Sequence, residues 1–583
     1  MSDKIWKLSE KIPDEILKEL SVYPKIIAQL LYNRGIKTKE GAEQFFNPDY
    51  KKDLKDPFLI LGLEKAVNRI IKAVKNNERI VIYHDYDADG VCGSTVVSST
   101  FSQLGIKFKT YTPDRQKEGY GLNEKAVQGI IKEGVDLLIT VDCGITDVDE
   151  VDLLNKNNVE VIIIDHHLPA EKLPDAFSIV NPKQELCGYE FKDMCAAGVA
   201  FKLCTALLQS ELAEDKDVKE GAEKWLLDVV AIATIADMMP LLGENRTLVK
   251  YGLMVVKKTK RLGLKKLISG VDRFRNGIDA NFVAFQVAPK INATSRMTHA
   301  SVSYELLNTE SEEDADKLFQ TVEKANNDRR KFVDKAVKDA IFWMEKDIEE
   351  RGGISDVIVI GNDEWTPGIV GLISSRLTEK YNRPSFVYGR VGNIFKGSCR
   401  SVEGFNIVNA MSECAGKQKD LFKSFGGHKG AGGFAVLEEK ITDFKKHMQD
   451  VAKGQLGKSK VAPIVKVEAN ISSDEMNWNT ASFLSRFEPY GQANPMPIFS
   501  SSNLIVADIR LIGKNNNHLK MKLKVYLKNG QVKFLDAVGF SMGEFYEKIK
   551  KNDKIDATFT LEENEWNGNK SLQLKLQDIK LKD

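Results

Sequence analysis

Acidic and imidazole side chains in this sequence fall at the ends of short apolar runs. The run RIVIYH (79–84) leads straight into DYDADG (85–90), which carries Asp85, Asp87 and Asp89. A second run, LLITV (137–141), is followed by Asp142, Cys143 and Gly144, and a third, VEVIII (159–164), by Asp165, His166 and His167. Brought to one place, these five aspartates would repel one another unless cations neutralised them. Oxygen ligands with one or two imidazoles suit Mn2+ or Mg2+, whereas structural zinc brings sets of four cysteines, or of paired cysteines and histidines, at short regular spacing. Two such cations about 4 Å apart suit phosphoryl transfer: one lowers the pKa of a bound water, and both stabilise the charged in-line transition state. That arrangement needs a bridging carboxylate, and Asp142, in the middle motif, is the candidate. A single Asp after a strand is commonly a helix N-cap. Three strand ends of this kind are more than capping explains.

The elements that must position these groups follow from the same runs. Continuous apolar stretches alternating with helical ones predict a parallel sheet covered on both faces. Ligand sites of such sheets lie outside the carboxyl ends of the strands, where Gly90 and Gly144 permit tight turns after the acids. This α/β region extends to about residue 305. The stretch 310–350 is rich in charge, with Leu318, Val322, Ala325, Phe332, Ala336 and Ala340 near helical spacing. It predicts a long helix or helix pair between two domains, ended by Gly352 and Gly353. A second α/β segment covers 354–451, followed by a Gly/Lys-rich linker at 453–460. The remainder reads as all-β, with a hairpin signal at Asn529 and Gly530. The first 75 residues read as short helices, with a turn at Asn47 and Pro48. The expected fold is thus α/β and multidomain, divided as 1–75, 76–305, 306–352, 353–455 and 456–583.

Composition narrows the class. At 583 residues the chain is too long for one core. Its net charge of +1 leaves nucleic-acid binding to be decided by charge distribution. The seven cysteines lack metal-type pair spacing and read as buried thiols. No apolar run approaches the roughly 20 residues of a membrane helix. The N-terminal MSDKIWKLSEKIPDE carries charges where a signal peptide has its apolar stretch, so a cytoplasmic location is expected.

Taken in order, the motifs resemble those of the DHH/DHHA1 phosphoesterase family, and within it the single-stranded-DNA exonucleases. The resemblance spans about residues 50–540. It includes DYDADG (85–90), TPDRQKEGYGL (112–122), TVDCGI (140–145), DHH (165–167) and GVAFKL (198–203). It continues through ADMMPLLGENR (236–246), APKINATSR (288–296), GIVGLISSRL (368–377), KGSCRS (396–401), GGHKGAGG (426–433) and EPYGQANPMPIF (488–499). The resemblance implies Asp85, Asp87, Asp89, Asp142, His166 and Asp237 as the metal set. Asp142, His166 and His167 are then the catalytic residues, with His167 contacting the scissile phosphate or moving a proton. Asp237, read alone after DVVAIATIA, would be only a polar residue at a helix end.

The same resemblance assigns substrate contacts. Arg115, Arg296 and Arg400, with Ser398, lie in motifs that line the DNA path and a 5′-phosphate pocket, where the guanidinium fork suits phosphate. His428, in GGHKGAGG, is a substrate contact, and Tyr120, in EGYGL, is placed to stack on a base or simply to pack. The segment 353–455 corresponds to a DHHA1 domain, and the C-terminal part to an OB-like barrel. Independently, Lys520, Lys522 and Lys524 alternate along one predicted strand and so share a face. From residue 501 onward 15 Lys and Arg stand against 11 Asp and Glu, which fits a backbone track; a lysine-protected edge strand is the bland reading. Where the family usually reads RINAxGR and GGHxxAAG, this chain has Lys290, Ser295 and Gly432.

The implied activity is a single-stranded-DNA-specific 5′→3′ exonuclease with two divalent cations, releasing 5′-mononucleotides in repair and recombination. The implied partners are single-stranded DNA, a single-strand-binding protein and a recombination helicase, with no membrane and a monomeric chain. Two alternatives stand beside it. One is a phosphodiesterase of short oligonucleotides, whose relatives lack the barrel. The other is an inactive DNA-binding scaffold, which would have lost metal-motif acids that are all present here.

Overall fold

The computed structural model describes residues 4–214, 216, 218–269, 277–457, 462–566 and 568–582. Its first sheet has five parallel strands in the order Lys109–Tyr111, Ile80–His84, Leu137–Val141, Glu160–Ile164 and Ser178–Val180. The three acid-bearing strands are the middle ones. His84 pairs with Val141, and Val141 with Ile164, so their chains leave the sheet at one level. Alternate residues feed two cores: Ile82, Ile139 and Ile162 face the helices Ala88–Gln103 and Ala196–Leu208. Tyr83, Leu138 and Ile163 face Glu124–Lys132 and Val148–Lys156. Burial on both faces explains the unbroken apolar runs. The two outer strands were not anticipated, because three residues carry no readable period.

A single helix, Glu312–Arg351, leaves this domain. Its 40 residues span about 60 Å. The Ser311 hydroxyl accepts the Asp314 N–H at its start, Glu312, Glu313 and Asp314 sit at the positive end of the helix dipole, and Gly352 (φ 69°) ends it. Val322 buries into the first domain, whereas Ala336, Ala340 and Met344 pack on the second. That second domain holds a five-stranded mixed sheet, in which only Ile358–Asn362 and Ser385–Val391 run parallel. The expected linker at 453–460 is helical as far as Leu456, and 458–460 lie outside the described residues.

The last domain is a closed five-stranded barrel. Phe499–Ile512 pairs with His518–Tyr526, that with Val532–Gly539, then Asn569–Leu581, Lys554–Trp566 and back to Phe499–Ile512. One parallel pairing, Val532–Gly539 with Asn569–Leu581, sits among antiparallel ones, as in an OB fold. Gly530 (φ 80°) turns the predicted hairpin.

The N-terminal 75 residues divide between two cores. Ile12, Leu20, Leu31, Phe45 and Phe46 pack with the barrel, whereas Leu63, Val67 and Ile70 pack with the parallel sheet. Ile5–Leu8, expected to be helical, is a strand paired in parallel with Ile464–Val467. Its partner lies at the other end of the chain, beyond the reach of local pattern. All seven cysteines are free and buried, as expected.

Candidate metal centre and substrate cleft

Each acid is held by the element that follows its strand. Asp87 caps the helix Ala88–Gln103, accepting the N–H groups of Asp89 and Gly90 at 2.8 and 3.3 Å, which leaves its second oxygen available. A Cβ at residue 90 would run into the Asp85 carbonyl, so the turn demands glycine. Both Asp89 oxygens accept backbone N–H groups, from Ala196 (2.7 Å) and Ala197 (2.8 Å), at the start of another helix. Asp142 has φ 66°, in the left-handed region that aspartate tolerates better than most side chains, and its N–H bonds the Ile164 carbonyl at 2.9 Å. Asp237 lies at the C-terminal end of Leu227–Ala236.

These groups converge. His166 Nε2 lies 3.4 Å from Asp142 Oδ1 and 3.6 Å from an oxygen of both Asp89 and Asp237. Such separations suit atoms sharing a cation better than atoms sharing a proton. Three groupings of ligand atoms fall within 4.8 Å: Asp89, His166 and Asp237; Asp85, Asp87 and Asp142; and Asp142, His166 and His167. Asp142 joins the second and third, where a bridging carboxylate would sit. Asp85 Oδ1, Asp142 Oδ1 and Asp237 Oδ2 are buried without a hydrogen-bond partner. Acceptors left bare in this way are costly unless a cation completes them. Hard oxygens with one imidazole fit Mn2+ or Mg2+.

The electrostatics carry the same message. Burial, then the Asp87 charge, pushes Asp89 up to about 7 and Asp85 well above the carboxylate range. Asp237 is pushed up to about 8 by burial and by Asp89 and Asp87. Asp142 is raised by burial and by the charges of Asp89, Asp87 and Asp85. Without cations the cluster therefore retains protons near neutral pH. Burial, with His167 beside it, lowers His166 to about 3, so its ring stays neutral and free to ligate.

His167 is different. Its Nδ1 lies 2.8 Å from Asp165 Oδ1, an oxygen that also accepts the backbone N–H groups of His166 (2.7 Å) and His167 (3.0 Å). Burial works against charging this ring, but the Asp165 hydrogen bond and charge outweigh it and raise the pKa. Asp165 is thus a positioning carboxylate. The strand-end pattern contained it without revealing that role. The Tyr120 hydroxyl lies 3.1 Å from His167 Nδ1 and 3.3 Å from the Asp142 carbonyl, with its ring edge-on to His167 and half exposed.

The arginines lie further out. Arg115 covers the Tyr86 ring at 4.5 Å. Arg296 Nη1 donates to the Gly368 carbonyl, linking the first domain directly to the second. Gly368 opens the helix Pro367–Tyr381, and one turn later Gly371 faces Ser398 and Arg400, whose Nη1 donates to Ser398 Oγ at 3.1 Å. His428 stands on an exposed turn, and its ring makes no hydrogen bond or ion pair among the described residues. Lys520, Lys522 and Lys524 lie on the outer face of the barrel, apart from the metal cluster. Their strand is flanked on both sides, so the edge-strand reading does not hold. Lys522 and Lys524 lie over the rings of Phe534 (5.7 Å) and Tyr526 (4.9 Å), both exposed.

The three departures from the family pattern have local causes. Lys290 is buried in an ion pair with Glu323 of the long helix. Ser295 Oγ donates to the Asn292 carbonyl at 3.1 Å. A Cβ at Gly432 would lie 2.7 Å from the Gly426 carbonyl and 3.3 Å from Cys399 Sγ.

Comparison with known proteins agrees with this architecture. Family models match at 79–234 (DHH family, N-terminal domain), 354–454 (DHHA1 domain) and 467–578 (RecJ OB domain). The chain is 36% identical to the single-stranded-DNA-specific exonuclease RecJ of Bacillus subtilis, covering 98% of this chain and 70% of that one. It is 32% identical to the Haemophilus influenzae protein of the same name, over 91% and 92% of the two chains. The crystal structure of RecJ with Mn2+ from Thermus thermophilus superimposes with a TM-score of 0.81 at 27% identity, covering 99% of this chain and 80% of that one. Similarity of this extent, over nearly the whole chain and all three matched domains, places the chain in the RecJ family.

Proposed function

We propose that the chain is a metal-dependent exonuclease specific for single-stranded DNA, hydrolysing it in the 5′→3′ direction to 5′-mononucleotides. The observation that carries this reading is the set of bare, buried carboxylate oxygens around His166 at three strand ends, in a chain of the RecJ family. Asp85, Asp87, Asp89, Asp142, His166 and Asp237 would hold two divalent cations, Mn2+ or Mg2+. When bound, these supply an activated water and screen the charge that builds on the scissile phosphate.

The chain's own residues do the rest. Asp165 holds His167 in one orientation and favours its charged form, so the ring can donate to a phosphate oxygen or hand a proton to the leaving oxygen. Tyr120 supports that ring from the side open to solvent. Arg115 and Arg296 offer guanidinium donors along the cleft, and Ser398 with Arg400 forms the 5′-phosphate pocket beside the first turn of Pro367–Tyr381. The lysine and aromatic face of the barrel holds the strand before it enters the cleft. His428 is a substrate contact from the rim. The chain acts as a cytoplasmic monomer in repair and recombination, alongside a single-strand-binding protein and a recombination helicase.

Purified protein with Mn2+ and end-labelled single-stranded or blunt duplex DNA tests the proposal. Mononucleotides released from the 5′ end of single strands alone support it. Equal digestion of duplex, or activity confined to dinucleotides, overturns it.

A further inference from the structure

The segment 112–122, which carries Arg115 and Tyr120, is tied at both ends to the strand that delivers Asp85. It leaves Lys109–Tyr111, whose register sets Tyr111 beside Tyr83 of Ile80–His84. Same-face neighbours of the two strands therefore meet in pairs. On one face the rings of Tyr83 and Tyr111 stack with centroids 5.2 Å apart. On the other, His84 Nε2 lies 2.8 Å from Thr112 Oγ1. His84 Nδ1 lies 2.7 Å from the Asp85 carbonyl, which can only accept, so Nδ1 carries the proton and the Thr112 hydroxyl donates to Nε2. The His84 ring is wholly buried and packs on Tyr304, 5.4 Å away. The far end of the segment returns to the same strand, where the Tyr83 hydroxyl donates to the Gly121 carbonyl at 2.8 Å. Asp147 accepts the next N–H, that of Leu122, at 2.7 Å, and its carboxylate leaves no room for a Cβ at Gly121. Between the ends, Glu118 accepts the Tyr111 hydroxyl (2.8 Å) and the Asp114 N–H (2.6 Å), closing a turn around Arg115.

We infer that Tyr83 and His84 are positioning residues that hold 112–122 as a preformed substrate loop, each governing one end of it. Consecutive residues of one strand point to opposite faces, so a single strand reaches both ends of the loop and fixes it against the metal centre. The two anchors serve different steps. Thr112 stands just before Arg115, whose guanidinium lies over Tyr86, so the His84 anchor sets where that cation meets the backbone of the bound strand. Gly121 adjoins Tyr120, whose hydroxyl lies beside His167 and the Asp142 carbonyl, so the Tyr83 anchor sets the support of the ring that acts on the scissile phosphate. The first anchor belongs to binding and the second to turnover. That division rests on the substrate roles proposed above for Arg115, Tyr120 and His167, whereas the anchoring itself does not.

The test uses the full-length protein. Thr112→Val removes the donor and keeps the side-chain shape, and Tyr83→Phe removes only the hydroxyl. His84 itself is left in place, because its ring also holds the Asp85 carbonyl. Amide hydrogen exchange should quicken over 112–118 in Thr112→Val and over 119–123 in Tyr83→Phe, with the rest of the parallel sheet unchanged. On single-stranded DNA with Mn2+, Thr112→Val should raise KM roughly three- to tenfold, the size of one neutral hydrogen bond, with kcat within about twofold of wild type. Tyr83→Phe should instead lower kcat by a similar factor and leave KM nearly unchanged. Thr112→Ser, which restores the donor, should return KM to the wild-type value. Unchanged exchange in both variants overturns the inference. So do equal changes in KM and kcat in both variants with faster exchange throughout the domain, which would mark general packing. Arg115→Ala and Tyr120→Phe, run beside them, separate this inference from the reading it rests on. If those two leave KM and kcat at wild-type values, their proposed substrate roles fall, and exchange still decides the anchoring. If Arg115→Ala raises KM while Thr112→Val speeds loop exchange without touching KM, the positioning role is overturned.

Discussion

At the scale of single residues, the metal centre is organised around two aspartates with opposite tasks. Asp142 is raised by its acidic neighbours and takes a left-handed backbone to reach two ligand groupings at once. Asp165 is lowered: against the pull of burial, its bond to His167 keeps it ionised. Asp142→Ala should therefore abolish cleavage while leaving DNA binding largely intact, measured by product release and by fluorescence anisotropy. Asp165→Asn should instead lower kcat roughly 10–100-fold, the usual range for removing a partner that orients a site histidine, with Mn2+ affinity little changed. The protonation of the cluster adds a pH prediction. Asp89 and Asp237 have folded-state values of about 7 and about 8, above the ordinary 3.8. A raised carboxylate value contributes stability that is present at low pH and lost as pH rises through it. The metal-free protein should thus lose stability from about pH 4, where the unfolded carboxylates ionise, up to about pH 8, more steeply than the Mn2+ form. Cation binding must displace those protons, so affinity should rise across the same window, with proton release visible by calorimetry in buffers of different ionisation heat. A pH-independent affinity would refute this account.

At the scale of elements, the three acid-bearing strands were legible because each is a run of apolar residues long enough to show burial on both faces. Their common exit level follows from register, which a sequence does not display: His84, Val141 and Ile164 are level only once the sheet is assembled. The role of Asp165 was not legible: a carboxylate at a strand end looks alike whether it binds a cation or a ring. The barrel strand His518–Tyr526 shows the converse. Its alternating lysines were read correctly as one face, and the structure adds what the alternation could not, two exposed aromatic rings beneath them. Lys522→Ala should weaken single-strand binding modestly and reduce its salt dependence, whereas Phe534→Ala should weaken binding with the salt slope unchanged, because stacking releases no counterions. An unchanged slope for Lys522→Ala would remove this face from the strand's path.

At the scale of the whole molecule, one buried arginine ties the barrel to the catalytic sheet. Arg246, in the helix Gly243–Val256 that follows Asp237, donates to the carbonyls of Phe45, Arg486, Phe487 and Glu488, and its guanidinium lies 3.7 Å over the Phe45 ring. Two segments far apart in sequence thus meet on a single side chain: an N-terminal helix, and the end of Trp478–Phe487 with the residue after it. Nearby the Leu241 N–H donates to the Gln492 carbonyl at 2.8 Å, four residues from Asp237. Burial lowers the Arg246 pKa to about 9, still charged at neutral pH, and no carboxylate pairs with it among the described residues. The clamp is therefore made of carbonyl dipoles alone, and deleting it leaves several buried acceptors unmet at a cost of about 1–3 kcal/mol each. Arg246→Leu should split thermal unfolding into two calorimetric transitions, the earlier one belonging to the barrel with its N-terminal helices. It should lose activity on long single strands, which must span barrel and cleft, more than on a trinucleotide, which engages the cleft alone. A single cooperative transition with equal losses on both lengths would show that Arg246 serves only the catalytic domain's own packing.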